Sequence, residues 1–190
     1  MPTQPADAVP ARRADARRNR DKILTAARQA FSEGGETSMA EISRRAGVGM
    51  ATLYRNFPGR RELLEAVYAD EVAALCSAAA DPEGETPGAA LRSWLLHFAA
   101  FITAKRDVAT ELLTQLGTDE SVMHEGRAAG LAAGRPLLAA AQQSGEVRDD
   151  LTLEQIFDLV VAVATIPADA GYVDPILRAA LDGLSTPPQA

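Results

Sequence analysis

Residues 38–63, SMAEISRRAGVGMATLYRNFPGRREL, decide the fold of this 190-residue chain. Ser38 and Glu41 have the spacing of a capping box, in which each side chain satisfies a free backbone N–H at the start of a helix. They predict a short helix that runs through Ala46. Gly47 should end that helix, because glycine can take the positive φ that turns the chain sharply.

A second short helix is predicted directly after this turn, from about Met50 to Phe57. Pro58 should end it, because proline lacks a backbone N–H and restricts the residue before it. The apolar positions that should pack between the two helices are Ile42, Val48, Leu53 and Phe57. A helix, a three-residue turn and a second helix with polar residues facing outward is the arrangement that places a recognition helix in the DNA major groove.

The outward-facing residues of the second helix are the candidate DNA contacts. Met50, Ala51 and Thr52 stand at its start, where a methyl group can touch thymine and a hydroxyl can bond a base or a phosphate. Arg55 is the candidate for bidentate contact to guanine, with a phosphate oxygen as the alternative partner. Further candidate contacts, chiefly to phosphates, are Tyr54, Asn56, Arg60, Ser38, Met39 and Arg18.

The charge distribution favours nucleic-acid binding, although the net charge of the chain is −7. Residues 1–62 carry twelve Lys/Arg and seven Asp/Glu, whereas residues 63–190 carry seven Lys/Arg and nineteen Asp/Glu. A basic segment on an acidic body can bind a polyanion locally and repel it elsewhere. A flexible arm that is charged only to stay solvated would give the same asymmetry, so the charge alone leaves both explanations open.

Helical periodicity throughout the chain predicts an all-α fold with about nine helices. Residues 1–13 lack periodic apolar positions and should form a disordered basic arm. Residues 14–62 should form a three-helix DNA-binding domain and residues 63–190 a C-terminal helical domain. Pro136 should kink one C-terminal helix, and Asp174 should cap the last one. The helices predicted after the motif span about 60–80, 86–105, 108–116, 120–144, 152–166 and 174–184.

The composition excludes several classes of protein. No apolar run approaches the roughly 18 residues that a membrane-spanning helix needs, and no secretory signal is recognisable, so we expect a cytoplasmic protein with no membrane partner. A single cysteine, Cys76, allows no internal disulfide. Glu120 and His124 have the spacing of metal ligands, but two ligands do not make a site. We expect no metal and no cofactor.

The segment from Ser38 to Leu63 resembles the helix-turn-helix signature of TetR-family transcriptional regulators. The matching residues, in the family's order and spacing, are Ala46-Gly47-Val48, Thr52-Leu53-Tyr54, Phe57 and Arg60. The resemblance extends over roughly residues 15–75. The departures are a short connection from Phe31 to Ile42, Gly49 where a serine cap is common, and Asn56 where a histidine is common.

The resemblance implies a homodimeric, all-helical repressor that binds a palindromic operator in double-stranded DNA. A small-molecule inducer in the C-terminal domain would alter the spacing of the two recognition helices. The dimer surface implied for the last two helices comprises Phe157, Val160, Val161, Ile166, Ile176, Leu177, Leu181 and Leu184. The alternative is that these residues only complete the core of the monomer.

Candidate ligand contacts lie on the helices that would surround a pocket in the C-terminal domain. They are Tyr68, Trp94, His97, Phe98, Phe101, Met123, His124 and Arg127. An aromatic face at helical spacing is more often core than pocket, so both interpretations stay open. The sequence does not identify the ligand.

Two other functions compete with a ligand-responsive regulator. The first is a helical small-molecule-binding or sequestration protein whose helix-turn-helix no longer binds DNA, since Met50 and Ala51 offer few hydrogen bonds to bases. The second is a small enzyme, but the sequence shows no nucleophile–base pair, phosphate loop or metal cluster. We therefore expect a protein that is not an enzyme.

Overall fold

The computed structural model describes residues 8–33, 37–116 and 121–186, and within these ranges the chain folds into eight α-helices. The helices are α1 Ala8–Ser32, α2 Met39–Ala46, α3 Met50–Asn56, α4 Arg60–Ala80, α5 Pro87–Leu116, α6 Ser121–Gln143, α7 Leu153–Ala164 and α8 Ala170–Asp182. The prediction of an all-α fold with an N-terminal helix-turn-helix is confirmed, with one helix fewer than expected.

Helix α1 begins at Ala8, within the segment 1–13 that was predicted to be a disordered arm. Residues 8–13 are therefore helical rather than a disordered arm, and residues 1–7 lie outside the described residues. Pro10 falls in the first turn of α1, where the backbone N–H groups have no partner within the helix, so proline is tolerated there.

Helix α5 runs without interruption where two helices were predicted, at 86–105 and 108–116. The residues between Thr103 and Thr110 include no glycine or proline, so no residue type there ends a helix.

Helix α8 begins before the predicted cap at Asp174. The side chain of Asp169 accepts a hydrogen bond from the backbone N–H of Tyr172 at 3.1 Å and caps the helix at Ala170. Pro175 consequently lies inside α8 instead of at its first position. At the start of α7 a capping box is present, with Thr152 and Gln155 bonding each other's backbone N–H groups.

Two hydrophobic cores hold the helices together, and α4 contributes to both. Helices α1, α2, α3 and α4 form the N-terminal core, which includes Ile23, Ile42, Leu53, Phe57, Leu64 and Tyr68. Helices α4, α5, α6, α7 and α8 form the C-terminal core, which includes Leu75, Trp94, Phe98, Ile156, Phe157 and Leu177. The rings of Phe98 and Phe157 stack with centroids 4.1 Å apart. Helix α4 therefore links the two halves of the molecule through its buried face.

The turn between α6 and α7 is hydrogen-bonded to the start of α5 and to the chain that follows α8. Gly145, at φ +75°, ends α6. The carboxylate of Glu146 accepts hydrogen bonds from the hydroxyl groups of Thr86 and Ser144 and from the backbone N–H of Gly88, at the start of α5. The N–H of Thr186, beyond α8, donates to the carbonyl of Glu146 at 3.1 Å. These bonds hold α5, α6 and the chain after α8 in register.

Gly47→Ala should destabilise the protein by about 1 kcal/mol, because φ is +64° at Gly47 and an L side chain is strained there. Gly49→Ser should stabilise it by about 0.3 kcal/mol, because Gly49 is the cap of α3 and lacks a side-chain oxygen. Neither added Cβ would meet an atom within 4 Å, so packing does not confound the pair. Urea unfolding of both variants measures the difference, and equal stabilities would contradict the turn geometry.

Glu146→Gln should lower the stability of the protein at neutral pH. Hydrogen bonds from Thr86 and Ser144 hold the pKa of Glu146 below its ordinary value, so the carboxylate stabilises the fold above the unfolded-state pKa of about 4.3. That contribution is lost as the pH falls through the lowered pKa. Thermal melts should show the variant approaching the parent protein at acidic pH, whereas Glu125→Gln, an exposed control on α6, should match the parent throughout.

Candidate DNA-binding surface and internal cavity

The turn between α2 and α3 is fixed by two hydrogen bonds between the same pair of residues. The buried hydroxyl of Ser43 donates to the carbonyl of Val48 at 2.6 Å, and the N–H of Val48 donates to the carbonyl of Ser43 at 3.1 Å. Leu53 on α3 is fully buried against Ile42 and its neighbours in the N-terminal core. The angle of α3 is thus set by buried contacts on one face, which leaves the other face exposed.

The predicted capping box at the start of α2 is only half formed. The N–H of Glu41 donates to the hydroxyl of Ser38 at 3.2 Å, as predicted. The carboxylate of Glu41 instead accepts hydrogen bonds from Arg44 at 2.7 Å and from Arg45 at 2.8 Å, which lower the pKa of Glu41 to about 2. Arg45 also pairs with Glu33 at 2.6 Å. Both arginines of α2 are therefore paired with acidic side chains of the same domain.

The exposed face of α3 presents Met50, Ala51, Tyr54 and Arg55, and we call this face the recognition surface. Of the two large apolar side chains on this face, Tyr54 is the more exposed, at 46% against 38% for Met50. Arg55 donates from Nε to the carbonyl of Ala51 at 3.1 Å and from Nη2 to the hydroxyl of Thr52 at 3.0 Å. A guanidinium has five N–H donors, so three remain for a partner outside the helix.

The other predicted DNA contacts lie around this surface in more constrained positions. Asn56 is half-buried and donates to the carbonyl of Thr52 at 2.8 Å. Arg60 is half-buried, donates to the carbonyl of Thr37 and lies 5.1 Å from the ring centroid of Phe31. The remaining three are Ser38, which is exposed, Met39, which packs on the N-terminal core, and Arg18, which pairs with Asp15 on α1.

Arg20 is a further basic residue beside the recognition surface, and the sequence did not single it out from its neighbours. Its guanidinium lies 4.6 Å from the ring centroid of Phe57, at the end of α3. A cation held over an aromatic ring is partly fixed in position before any partner arrives. Only the packing of α1 beside α3 brings these two residues together.

A cavity of about 170 Å³ lies among α4, α5, α6 and α7, and we call it the α4–α7 cavity. Its lining residues are Tyr68, Val72, Leu75, Phe98, Phe101, Ile102, Gly126, Arg127, Gly130, Phe157 and Val161. Four of the predicted ligand contacts are among them: Tyr68, Phe98, Phe101 and Arg127.

The other four predicted ligand contacts do not line this cavity. Trp94 is 1% exposed and packs in the C-terminal core, where its indole N–H donates to the carbonyl of Leu75 at 3.0 Å. Met123 packs against the N-terminal core, and His97 and His124 are exposed. Periodicity identifies the inward face of a helix, but it does not separate residues that pack in the core from residues that border a cavity.

Most of the predicted dimer residues are buried within the monomer. Phe157 and Val161 line the α4–α7 cavity. Val160, Leu177, Leu181 and Leu184 are buried in the C-terminal core, and Ile166 is half-buried. Ile176 alone of the set is exposed, at 36%. The exposed large apolar side chains on α7 and α8 are Leu159, Tyr172 and Ile176.

Two polar side chains line the α4–α7 cavity. The hydroxyl of Tyr68 has no hydrogen-bond partner in the described ranges, although the residue is only 7% exposed, and burial raises the pKa of this phenol. A Cβ on Gly126 would lie 2.4 Å from that hydroxyl, so glycine is needed there to leave room for it. The second polar side chain, Arg127, pairs with Asp158 at 2.7 Å.

The cavity wall is continuous with the core of the DNA-binding domain. Tyr68 and Val72 line the cavity and belong to the N-terminal core, while Phe101 packs against both cores. The same helix is joined to α1 by Arg28, which pairs with Asp70 and with Glu71, the latter at 2.5 Å. A displacement of α4 at the cavity would therefore reach the helix-turn-helix through packed side chains.

Comparison with protein families decides the identity of the chain. Residues 23–67 match the model of bacterial regulatory proteins of the tetR family, and residues 86–186 match the C-terminal domain of SbtR-like transcriptional regulators. The chain belongs to the TetR family of transcriptional regulators. The earlier resemblance rested on the N-terminal third, and the second match extends the assignment to the C-terminal domain.

Individual relatives of this TetR-family regulator agree with the assignment. A TetR transcriptional regulator from Streptomyces coelicolor is 37% identical, with 87% of this chain and 98% of that chain covered and a TM-score of 0.72. A TetR regulatory protein from Mycobacterium vanbaalenii is 36% identical, covering 92% of this chain and 99% of that chain, with a TM-score of 0.75. An HTH-type transcriptional regulator of Mycobacterium bovis is 30% identical over 84% of this chain and 85% of its own length.

The departures of this regulator from the family's motif have simple structural counterparts. Gly49 caps α3 in an extended conformation, with φ −72° and ψ 151°, and supplies no side-chain hydrogen bond. Asn56 bonds the backbone of its own helix, as described above. The short connection between Phe31 and Ile42 includes residues 34–36, which lie outside the described residues.

Two further features concern the described part of the regulator, a membrane-spanning helix and a metal site. Among the helices described, none combines the length and the apolar character needed to cross a membrane. In the same part of the chain, no group of three or more His, Cys, Asp or Glu side chains is arranged to hold a metal ion.

Proposed function

We propose that this TetR-family protein is a homodimeric repressor that binds a palindromic operator through α3 and releases it when a small molecule occupies the α4–α7 cavity. The observation that carries the proposal is that one helix, α4, supplies residues to the N-terminal core and to the cavity wall. DNA binding and ligand binding then depend on the position of the same structural element.

The recognition surface supports the DNA-binding part of the proposal. Tyr54 and Arg55 are exposed on a helix whose opposite face is anchored by Leu53 in the N-terminal core. Arg55 is the basic residue of α3, and its exposed side chain would face a DNA groove. Both arginines of α2 are paired with Glu41. The acidic residues of the C-terminal body would repel DNA from other orientations.

The dimer part of the proposal is now assigned to the outer faces of the last two helices. Leu159, Tyr172 and Ile176 expose 37%, 61% and 36% of their surface on α7 and α8, which pack against each other. Ala162 and Ala179 are exposed on the same two helices, and such small side chains let a partner helix approach closely. Two recognition helices are needed because a single short helix contacts too few base pairs for high specificity.

The release part of the proposal follows from the packing of Tyr68, Val72 and Phe101. A ligand in the cavity contacts these side chains, which also pack in or against the N-terminal core, so that a change in their packing would reach that core. A packed core responds to such a change by shifting a helix rather than by local compression. The ligand must therefore bind more tightly to the arrangement that does not fit the operator.

One observation favours a second candidate, a helical ligand-binding protein that does not bind DNA. Arg55 and Asn56 use some of their donors for hydrogen bonds to the backbone and to Thr52 within α3, which leaves fewer donors for DNA. The two candidates differ in a single measurable property, specific binding to operator DNA.

Tyr54→Ala combined with Arg55→Ala should weaken operator binding by at least about 100-fold, because each contact is worth about 1–3 kcal/mol and is made by both subunits. The control variant Arg135→Ala removes the same charge from α6, where Arg135 pairs with Glu154, and should bind normally. Fluorescence anisotropy with DNA from directly upstream of the gene, at two salt concentrations and with scrambled competitor DNA, measures both affinities.

The result that contradicts DNA recognition by α3 is specific, competitor-resistant binding by the folded double variant. Weak binding of the parent protein that is equal for upstream and scrambled DNA would favour the second candidate. Helical content by circular dichroism should be the same for all three proteins, since none of the three substituted side chains is buried.

Ile176→Glu combined with Tyr172→Glu should convert the dimer to a monomer, because two charges per subunit would be buried in an apolar interface. The matched control is Met50→Glu, a similarly exposed apolar residue on α3, away from α7 and α8. Light scattering coupled to size-exclusion chromatography gives the mass of each variant. A parent protein that is monomeric at micromolar concentration, or a dimeric double variant, would refute the proposed interface.

A further inference from the structure

The α4–α7 cavity has a size and a chemistry that select one class of ligand. Building on the proposed function, in which this cavity takes the effector, we propose that it binds a neutral molecule with a single aromatic ring and one hydroxyl or carbonyl group. The ring would lie among Phe98, Phe101 and Phe157, and the oxygen would hydrogen-bond to Tyr68.

The volume of the cavity sets the size of the ligand. It measures about 170 Å³. An apolar protein cavity of about 150 Å³ is large enough to bind benzene, so this space suffices for one substituted ring. A fused-ring compound or a long acyl chain would extend beyond this volume.

The aromatic residues of the wall favour a ring over an aliphatic ligand of the same size. The rings of Phe98 and Phe157 lie 4.1 Å apart, those of Phe98 and Phe101 lie 6.5 Å apart, and those of Tyr68 and Phe101 lie 5.9 Å apart. Offset-stacked and edge-to-face contacts between rings add to the gain from buried area. A planar ligand can make these contacts with several of the four rings at once.

The hydroxyl of Tyr68 supplies the polar contact. The hydroxyl borders the cavity, and no residue in the described ranges hydrogen-bonds to it. Gly126 lets the tyrosine ring take this position against α6, since any side chain there would collide with it. A ligand oxygen placed against Tyr68 would satisfy the hydroxyl at the moment of binding.

The charges at the cavity favour a neutral ligand over a carboxylate. Arg127 is the charged residue of the lining, and Asp158 already pairs with it at 2.7 Å. Because Asp158 already balances the charge of Arg127, an anion would gain less from this arginine while losing its own hydration, and the remaining wall is apolar apart from Tyr68. The site as built therefore carries no net charge for an anionic ligand to neutralise.

The test compares phenol, toluene and benzoate as probes of the full-length protein. Titrations use calorimetry and the fluorescence of Trp94, the chain's single tryptophan, whose ring lies 5.6 Å from that of Phe157. Phenol should bind at one molecule per chain and more tightly than toluene or benzoate. Tyr68→Phe should weaken phenol binding about 5- to 10-fold and leave toluene binding unchanged, because only a hydrogen bond is removed.

The control variant is Tyr172→Phe, which removes the same atom from an exposed tyrosine on α8 and should bind phenol like the parent protein. Benzoate binding more tightly than phenol would overturn the neutral class. An equal loss of phenol and toluene in Tyr68→Phe would overturn the role of the hydroxyl.

Operator binding, measured on the same samples by anisotropy, separates this inference from the proposed function. If none of the three probes binds to a protein that does bind its operator, the ligand class is wrong and the repressor stands. If phenol binds as expected but leaves the operator complex intact, the ligand class stands and the release mechanism is wrong. Binding of phenol together with loss of the operator complex supports both.

Discussion

The sharing of α4 between two hydrophobic cores is the constraint on which the rest of the structure depends. Leu63, Leu64 and Val67 of this helix are fully buried in the N-terminal core, and Leu75 is buried in the C-terminal core. Because protein interiors are packed like crystals, α4 cannot slide at one end without disturbing contacts at the other. Tyr68 lies between the two sets of contacts and borders the cavity. One packed helix therefore joins the wall of the cavity to the core of the helix-turn-helix domain.

Electrostatics within the N-terminal domain determines which basic side chains face a partner. Glu41 pairs with both arginines of α2, and the low pKa of about 2 keeps its carboxylate charged under all physiological conditions. Arg60 is held against the connection between α1 and α2, and Arg20 against Phe57. Arg55 is left on the exposed face of α3 with donors to spare. The arginines of the basic segment therefore differ in their contacts. Those of α2, Arg20 and Arg60 interact with neighbouring side chains or backbone of the domain, and Arg55 lies exposed on the recognition helix.

Much of the fold could be predicted from local signals, and the site could be predicted only in part. The caps at Ser38 and Thr152 and the turn at Gly47 act within a few residues of chain, so pattern and spacing identify them. The early start of α1 and the continuity of α5 were missed, because a polar or charged segment is equally compatible with a helix and with a break. Tyr68, Phe98, Phe101 and Arg127 border the cavity as expected, whereas Trp94 fills the core behind it. Which aromatic residue packs and which lines a space depends on neighbours from other helices.

By itself the sequence determined the all-helical class, the helix-turn-helix and the family, because periodicity, capping residues and a dense local motif express short-range physics. Only the tertiary structure decided which apolar residues of α7 and α8 remain exposed. It showed that Phe157 and Val161, which were predicted for the dimer surface, line the cavity. It also placed the unpartnered hydroxyl of Tyr68 opposite Gly126. These relations join residues far apart in the chain, and they follow from the crossing of packed helices, which no local pattern of side chains records.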